Sequence, residues 1–416
     1  MGLKLAVVGG GSTYTPELVD GFARRTDRLT IDEIALLDID SERLAVVGGL
    51  AERMLARQGW PGRVVQTTDR DEALEGADVV LFQLRVGGQQ ARFGDETLPK
   101  RWELIGQETV GAGGFAKALR TVPVILELAE QVERRSAPDA WIVDFTNPVG
   151  IVTQALADAG CRAIGLCNVA IGFQRRFAAR FGVEPERVEL EQVGLNHLTW
   201  IRAVRLDGRD VLPDLLGEHG DELADEVDIP RRVLEDLGAI PSYYLHYFYA
   251  HDRVLAEQRD GVPRAQTVAE IEHELLEMYK DPNLAEKPAL LDQRGGAHYS
   301  EAAVGLVGSL HRGDDAVHVV DVRNGGTLVG LAADDVVEVP ARVGPAGPVP
   351  LPQAPLAPEL LGLVQHVTAY ERLAVEAALT RDPATARKAL LSHPLVGQVD
   401  KVDALVDALL LETVSP

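Results

Sequence analysis

The chain is short of several things, and each shortage narrows what it can be. It has 2 cysteines in 416 residues. Cys161 and Cys167 are too few and too close together for a disulfide framework, and they fit a reducing compartment. Basic residues are outnumbered: 41 Lys and Arg stand against 64 Asp and Glu, a formal net charge of −23. Such a surface argues against nucleic acid or an anionic membrane as the main partner, since both need a basic footprint. A small anionic substrate is compatible with it, because a few local arginines suffice to hold one. No apolar run is long enough to cross a bilayer. The opening "MGLKLAVVGG" lacks a signal-peptide core and cleavage site. The expectation is a cytoplasmic protein. No internal repeat is visible.

What is present reads as an ordinary globular chain, 46% hydrophobic and 25% charged, long enough for two domains. From Leu3 to about Asn168, strand-like runs alternate with helix-like ones. The strands are "LKLAVVGGG", "IDEIALLDID", "RVVQTTD", the run ending near Gln83, "AWIVDFTNPVG" and "RAIGLCN". Alternation of this kind predicts right-handed crossovers and a parallel, doubly wound sheet, with ligands beyond the carboxyl ends of the strands. Those ends carry Gly9–Gly11, Asp38, Gln83, Asn147 and Cys167–Asn168. After about residue 185 the pattern changes to antiparallel strands and amphipathic helices. A hairpin is expected at "LDGRD", with another around Asn324–Gly326. "GPAGPVPLPQAPLAP" reads as a surface loop.

"VVGGGSTYTP" matches the dinucleotide-binding fingerprint in part. Gly9 and Gly11 take its first two glycine positions, and Tyr14 stands at the third. Gly9 permits the tight turn, and Gly11 lets backbone approach a pyrophosphate at the following helix N-terminus. Ser12 and Thr13 add hydroxyl donors. Asp38, ending the second strand, is placed for ribose hydroxyls and favours NAD over NADP.

Other residues leave alternatives open. Cys167 is a buried small hydrophobe or a ligand at a strand end. His197, in "GLNHLTW", reads as a mid-strand residue and is either core or a partner for Cys167. One Cys and one His are too few for a structural zinc site, though they suffice where substrate oxygens and water fill the other positions. Arg85, Arg92 and Arg264 are surface arginines or anion holders. "IPSYYLHYFY" concentrates aromatics in a chain that is 5% aromatic. It reads as a packed helix face, one of whose tyrosines could serve as a base.

Taken together, "VVGGGSTYTPEL", "RVGG", "IGQETVGAGG", "FTNPVG", "GLCNVAIG", "GLNHLTW", "IPSYYLHYFY", "AYERLAVEAA" and "LLSHPLV" resemble glycoside hydrolase family 4, and most of all its 6-phospho-β-glucosidase branch. The likeness runs in order from residue 5 to about 400. It implies a Rossmann-type domain over residues 1–185 that binds NAD. An α+β domain over 186–416 would serve substrate, metal and oligomerisation, in a lactate/malate dehydrogenase-like architecture. It also implies a hydrolysis that borrows redox chemistry: hydride leaves carbon 3 of the sugar, a tyrosine removes the proton on carbon 2, the glycosidic oxygen is eliminated, water adds, and the hydride returns. Members of this family depart from the two-carboxylate logic of most glycosidases.

By resemblance, Cys167 and His197 hold the metal, usually Mn²⁺, with sugar hydroxyls completing its shell. Tyr244 is the base, with Tyr243 as second choice, and Glu108 raises that tyrosine's basicity. Arg92, Asn147 and Arg264 grip the phosphosugar. Asn168 stands where members cleaving α-linkages tend to carry a proton-donating Asp, which points to β-linked substrates. Ala170 departs from the proline common there. The implied assembly is a homodimer or homotetramer. The alternatives are a member acting on α-linked, galacto- or uronic sugars, and an NAD-dependent dehydrogenase of a small hydroxy substrate.

Overall fold

The computed structural model describes residues 2–24, 29–296 and 298–412. The first strand, β1 (Leu3–Val8), shows why the sheet forms. Leu5 and Val7 join one buried cluster, and Ala6 and Val8 join another on the opposite face. Successive side chains point to opposite faces, so a strand with consecutive buried apolar residues, as over Leu5–Val8, belongs inside a sheet covered on both sides. β2 (Ile31–Leu37) and β4 (Val79–Phe82) repeat the pattern. A fully buried leucine or phenylalanine contributes about 1.5–3 kcal/mol, so these strands anchor everything mounted on their ends.

With β3 (Arg63–Thr67), β5 (Trp141–Asp144) and β6 (Ala163–Gly165), the parallel half has the order β3-β2-β1-β4-β5-β6. This is the dinucleotide-binding arrangement, with its crevice where the order reverses beside β1. The later strands are β7 (Val188–Leu195), β8 (Leu198–Leu206), β9 (Arg209–Asp210), β10 (Ile240–Pro241), β11 (Val317–Arg323), β12 (Val336–Gly344) and β13 (Gly347–Pro350). They extend the same sheet antiparallel beyond β6, in the order β11-β12-β7-β8-β10. The hairpin β11–β12 therefore stands between β6 and β7. No described helix is long and apolar enough to cross a membrane.

Local readings fare unevenly. "LDGRD" is a hairpin turn, with positive φ at Asp207 and Gly208. Asn324–Gly326, by contrast, begins a longer loop and is not a two-residue turn. The Asn324 side chain accepts from Leu328 N–H at 2.6 Å and donates to the carbonyls of Leu328 and Ala332, folding the loop around itself. Part of the proline-rich stretch is strand. β13 pairs with the outer end of β12, an edge position where proline's missing N–H costs nothing. His197 is not mid-strand. It is the second residue of a two-residue turn joining β7 to β8, with φ +62°.

Candidate active site

The glycine turn after β1 is shaped by its neighbours. Gly9 has φ +91°, and a Cβ there would lie 2.8 Å from the Gln83 carbonyl oxygen. A Cβ at Gly11 would lie 2.8 Å from the Asp38 carboxylate, which accepts the Gly11 N–H at 2.8 Å. Gly9 is held by its positive φ and the Gln83 backbone, whereas a side chain at Gly11 would have to push the Asp38 carboxylate aside. Thr13 is fully buried, and Ser12 Oγ accepts the Tyr14 N–H. Asp38 thus sits against the turn, next to Ile39, which is 92% exposed.

Three residues missed in the sequence complete this corner. Arg43 donates to the Gly11 carbonyl at 2.7 Å and pairs with Glu272. Arg294 donates to Thr13 Oγ1 at 2.6 Å and to Glu272 at 3.0 Å. Glu272 is buried, and its acidity is strengthened by Arg294 and Arg43 against the cost of burial. The signal was invisible locally because residues near 12, 43, 272 and 294 meet only in the fold.

The second group gathers on the loop that precedes the helix Gly111–Arg135. The run "GAGG" opens this helix because the loop lies directly on it: a Cβ at Gly113 would lie 2.2 Å from the Gln107 carbonyl oxygen. The loop presents Glu108 and Thr109. Glu108 is buried, yet its carboxyl is held well below the ordinary glutamate range, because burial is outweighed by Arg85, Lys117 and Arg92. Lys117 Nζ lies 2.5 Å from Glu108 Oε2, Arg92 Nε lies 3.1 Å from Oε1, and Arg85 also donates to Oε2. Burial in turn draws the Lys117 amine down to about 8.

Thr109 Oγ1 lies 3.1 Å from His197 Nδ1, which fixes the buried ring. Burial and the Lys117 charge lower the His197 pKa to about 3, so its imidazole is neutral. The ring stacks on Tyr244, with centroids 3.6 Å apart. The Tyr244 phenol is pushed well above its usual value by burial first, then by Tyr243, Cys167, Tyr247 and Glu108. Tyr243 is next to it, with ring centroids 4.8 Å apart. Cys167, buried beyond β6, is raised well above the ordinary thiol range by burial and by Glu338. His197, Tyr244, Glu108 and Arg92 therefore form one cluster, and Cys167 is near enough to act electrostatically on Tyr244.

Asn147 lies at the rim, and its Oδ1 is buried without a hydrogen-bond partner, as is Gln83 Oε1. Asn168 caps the helix Val169–Phe181, and its carbonyl accepts from Gly172. Arg264 stands apart and exposed, donating to the Gln293 carbonyl at 2.8 Å. It is tied to the cluster by Glu96, which accepts both Arg92 Nε and the Ala265 N–H. A cavity of about 890 Å³ opens elsewhere and, of these residues, is lined by Cys167 alone.

The donor set suits a divalent ion that is shared with a ligand. A neutral imidazole oriented through Nδ1 is ready to coordinate through its other nitrogen, and a thiol can ionise on binding a metal. Among the described residues, no group of three or more His, Cys, Asp or Glu side chains is arranged to hold an ion. Substrate oxygens or water must therefore complete any shell here. The dinucleotide also fits: the side-chain-free Gly9–Gly11 turn packs closely against Gln83, Leu36 and Asp38, Asp38 directly follows β2, and Gln83 Oε1 is an unused acceptor.

The model of the family 4 glycosyl hydrolases matches residues 4–183, and that of the family 4 glycosyl hydrolase C-terminal domain matches 192–396. A probable 6-phospho-β-glucosidase of Bacillus subtilis is 41% identical, over 98% of this chain and 96% of its own. The solved 6-phospho-β-glucosidase of Thermotoga maritima, with manganese, NAD⁺ and glucose 6-phosphate, superposes with a TM-score of 0.93 at 36% identity, covering 99% and 98%. A lactate dehydrogenase of Cryptosporidium parvum shares the fold alone, with a TM-score of 0.56 at 16% identity over 91% of this chain and 99% of its own.

Proposed function

This chain belongs to family 4 of the glycosyl hydrolases, and from that premise we propose that it hydrolyses 6-phospho-β-glucosides to glucose 6-phosphate and an aglycone, using NAD and a divalent metal such as Mn²⁺. The observation that carries this reading is the contact of Tyr244 with His197 beside Cys167 and Glu108. A tyrosine base placed against two metal-type donors suits proton removal next to a carbonyl.

When bound, NAD supplies a reversible hydride store and the metal supplies Lewis acidity toward sugar oxygens. The chain's own residues do the rest. Tyr244 Oη takes the proton from carbon 2 of the sugar. Glu108 holds negative charge near that phenol, which raises its basicity, and Arg85, Arg92 and Lys117 keep Glu108 ionised. Cys167 and His197 are the protein ligands for the metal. Gly9, Gly11, Ser12, Thr13 and Asp38 cradle the dinucleotide, with Asp38 toward the ribose. Arg92, Asn147 and Arg264 bind the phosphosugar. Asn168 cannot donate a proton as an acid, and it assigns β-linked substrates over α-linked ones.

The division at residues 185 and 186, a homodimeric or homotetrameric assembly and a cytoplasmic location belong to the same reading. The test uses a chromogenic 6-phospho-β-glucoside, NAD⁺ and Mn²⁺ with reduced protein. Hydrolysis should stop when either cofactor is withheld and in Tyr244→Phe. Net accumulation of NADH during turnover would instead mark a dehydrogenase.

A further inference from the structure

One ladder row crosses the sheet behind the active site. Asp144 on β5 pairs with Gly165 on β6, Gly165 with Asp321 on β11, Asp321 with Glu338 on β12, and Glu338 with Gly194 on β7. Residues directly opposite in a ladder share a face, so the row sets three carboxylates on one face, two of them, Asp321 and Glu338, between Gly165 and Gly194. All three are buried. Gly165 lies two residues before Cys167, and Gly194 lies three before His197.

Glu338 is the member that reaches the turn. Its Oε2 accepts the Asn196 side-chain amide at 3.0 Å, and its Oε1 accepts the Gln192 side-chain amide at 2.8 Å. Asp321 takes a longer bond of 3.4 Å from the same Asn196 amide, and its Oδ1 has no partner. Asn196 is the residue before His197, whose φ of +62° is uncommon and costly for a residue other than glycine. Such a conformation persists only where its surroundings enforce it.

We propose that Glu338 is a positioning residue: through Asn196 it holds the β7–β8 turn so that His197 faces the metal site. The proposal rests on the metal site of the proposed function. It makes the β11–β12 hairpin, inserted between the strands bearing Cys167 and His197, the part that sets one ligand against the other. An amide at 338 could accept only one of the two amides that now meet it. Moving the charge to position 192 restores both bonds, because the amide introduced at 338 would donate to the carboxylate introduced at 192 and accept from Asn196.

The experiment titrates Mn²⁺ into the NAD⁺-loaded protein with glucose 6-phosphate at pH 8, reading free Mn²⁺ by electron paramagnetic resonance. NAD⁺ affinity is measured in parallel by calorimetry. Glu338→Gln should weaken Mn²⁺ binding about tenfold or more, the range for partners that orient a metal-ligating histidine, while leaving NAD⁺ affinity within about twofold. The double variant Glu338→Gln/Gln192→Glu should regain most of the Mn²⁺ affinity. Unchanged Mn²⁺ binding in Glu338→Gln, a parallel loss of both affinities, or a folded double variant without recovery overturns the proposal. Should Glu338→Gln fail to fold, Asn196→Ala reads the same bond: an equal loss supports the assignment, and unchanged affinity overturns it. Absence of Mn²⁺ binding in the unaltered protein would remove the proposed function itself, before any substitution is compared.

Discussion

Glu108→Gln is the substitution with the most to say about the site. The carboxylate carries three cations on two oxygens, with Lys117 at 2.5 Å and Arg92 at 3.1 Å. Glutamine removes the charge and turns one oxygen into a donor that faces other donors. Breaking a buried ion pair by removing one partner costs about 3–5 kcal/mol, because the remaining charges stay buried and uncompensated. Unfolding entropy is about 2.1 cal/mol/K per residue, or about 0.9 kcal/mol/K for this chain. The melting temperature should therefore fall by about 3–6 °C, measured by calorimetry without ligands. Adding Lys117→Met should recover part of the loss, since it withdraws one stranded cation. The pH profile carries a second signature. The Glu108 pKa is depressed in the folded state, so its contribution is present above the ordinary glutamate pKa and is lost as pH falls through the folded one. Glu108→Gln should flatten that part of the acid limb. A melting temperature within about 1 °C of the parent's would refute the reasoning.

Gly11→Ala should weaken NAD⁺ binding at least tenfold by calorimetry, because its Cβ would meet the Asp38 carboxylate at 2.8 Å; unchanged affinity would mean the dinucleotide does not use this turn. Cys167→Ser should raise the Mn²⁺ concentration needed for half-maximal activity, and Asn168→Asp should shift the ratio of α- to β-linked phosphoglucoside cleavage; both are read with paired chromogenic substrates. His393 is buried, and burial lowers its pKa to about 3. The unfolded chain takes up a proton below about 6.5 that the folded ring refuses, so stability drops as pH falls from there. Between pH 6.5 and 4.5 His393→Gln should lose about 2–3 kcal/mol less than the parent in denaturant titrations; parallel pH profiles would exclude this role.

The parallel half of the fold was legible because its strands carry short apolar runs and end in glycine or polar residues, as Leu5–Gly11 and Ala163–Asn168 do. The antiparallel half was legible as strands, but its place in the sheet was not. Nothing near residue 320 announces that Asp321 will pair with Gly165. His197 was misplaced within a strand because the run around it, "VELEQVGLNHLTWIRAV", reads as strand on both sides of the turn and no glycine marks positions 196 and 197, whereas His197 takes a positive φ. Broken local rules concentrate at functional sites. Of the site, Cys167, Tyr244 and Glu108 were visible through motif order. Arg43, Lys117, Glu272 and Arg294 were not, because each looks like an ordinary charged helix residue until the chain brings it to the turn or to Glu108.

The insertion of β11–β12 beside β6 also has a consequence for how the chain is made. On the ribosome, the parallel half is complete once β6 emerges, but the outer edge of β6 has no partner until residues near 321 follow. At synthesis rates of about 5–20 residues per second, that edge waits about 8–30 seconds. An unpaired strand edge is a template for mispairing with other chains. β6 is three residues long, which leaves a nascent neighbour very little edge to add to.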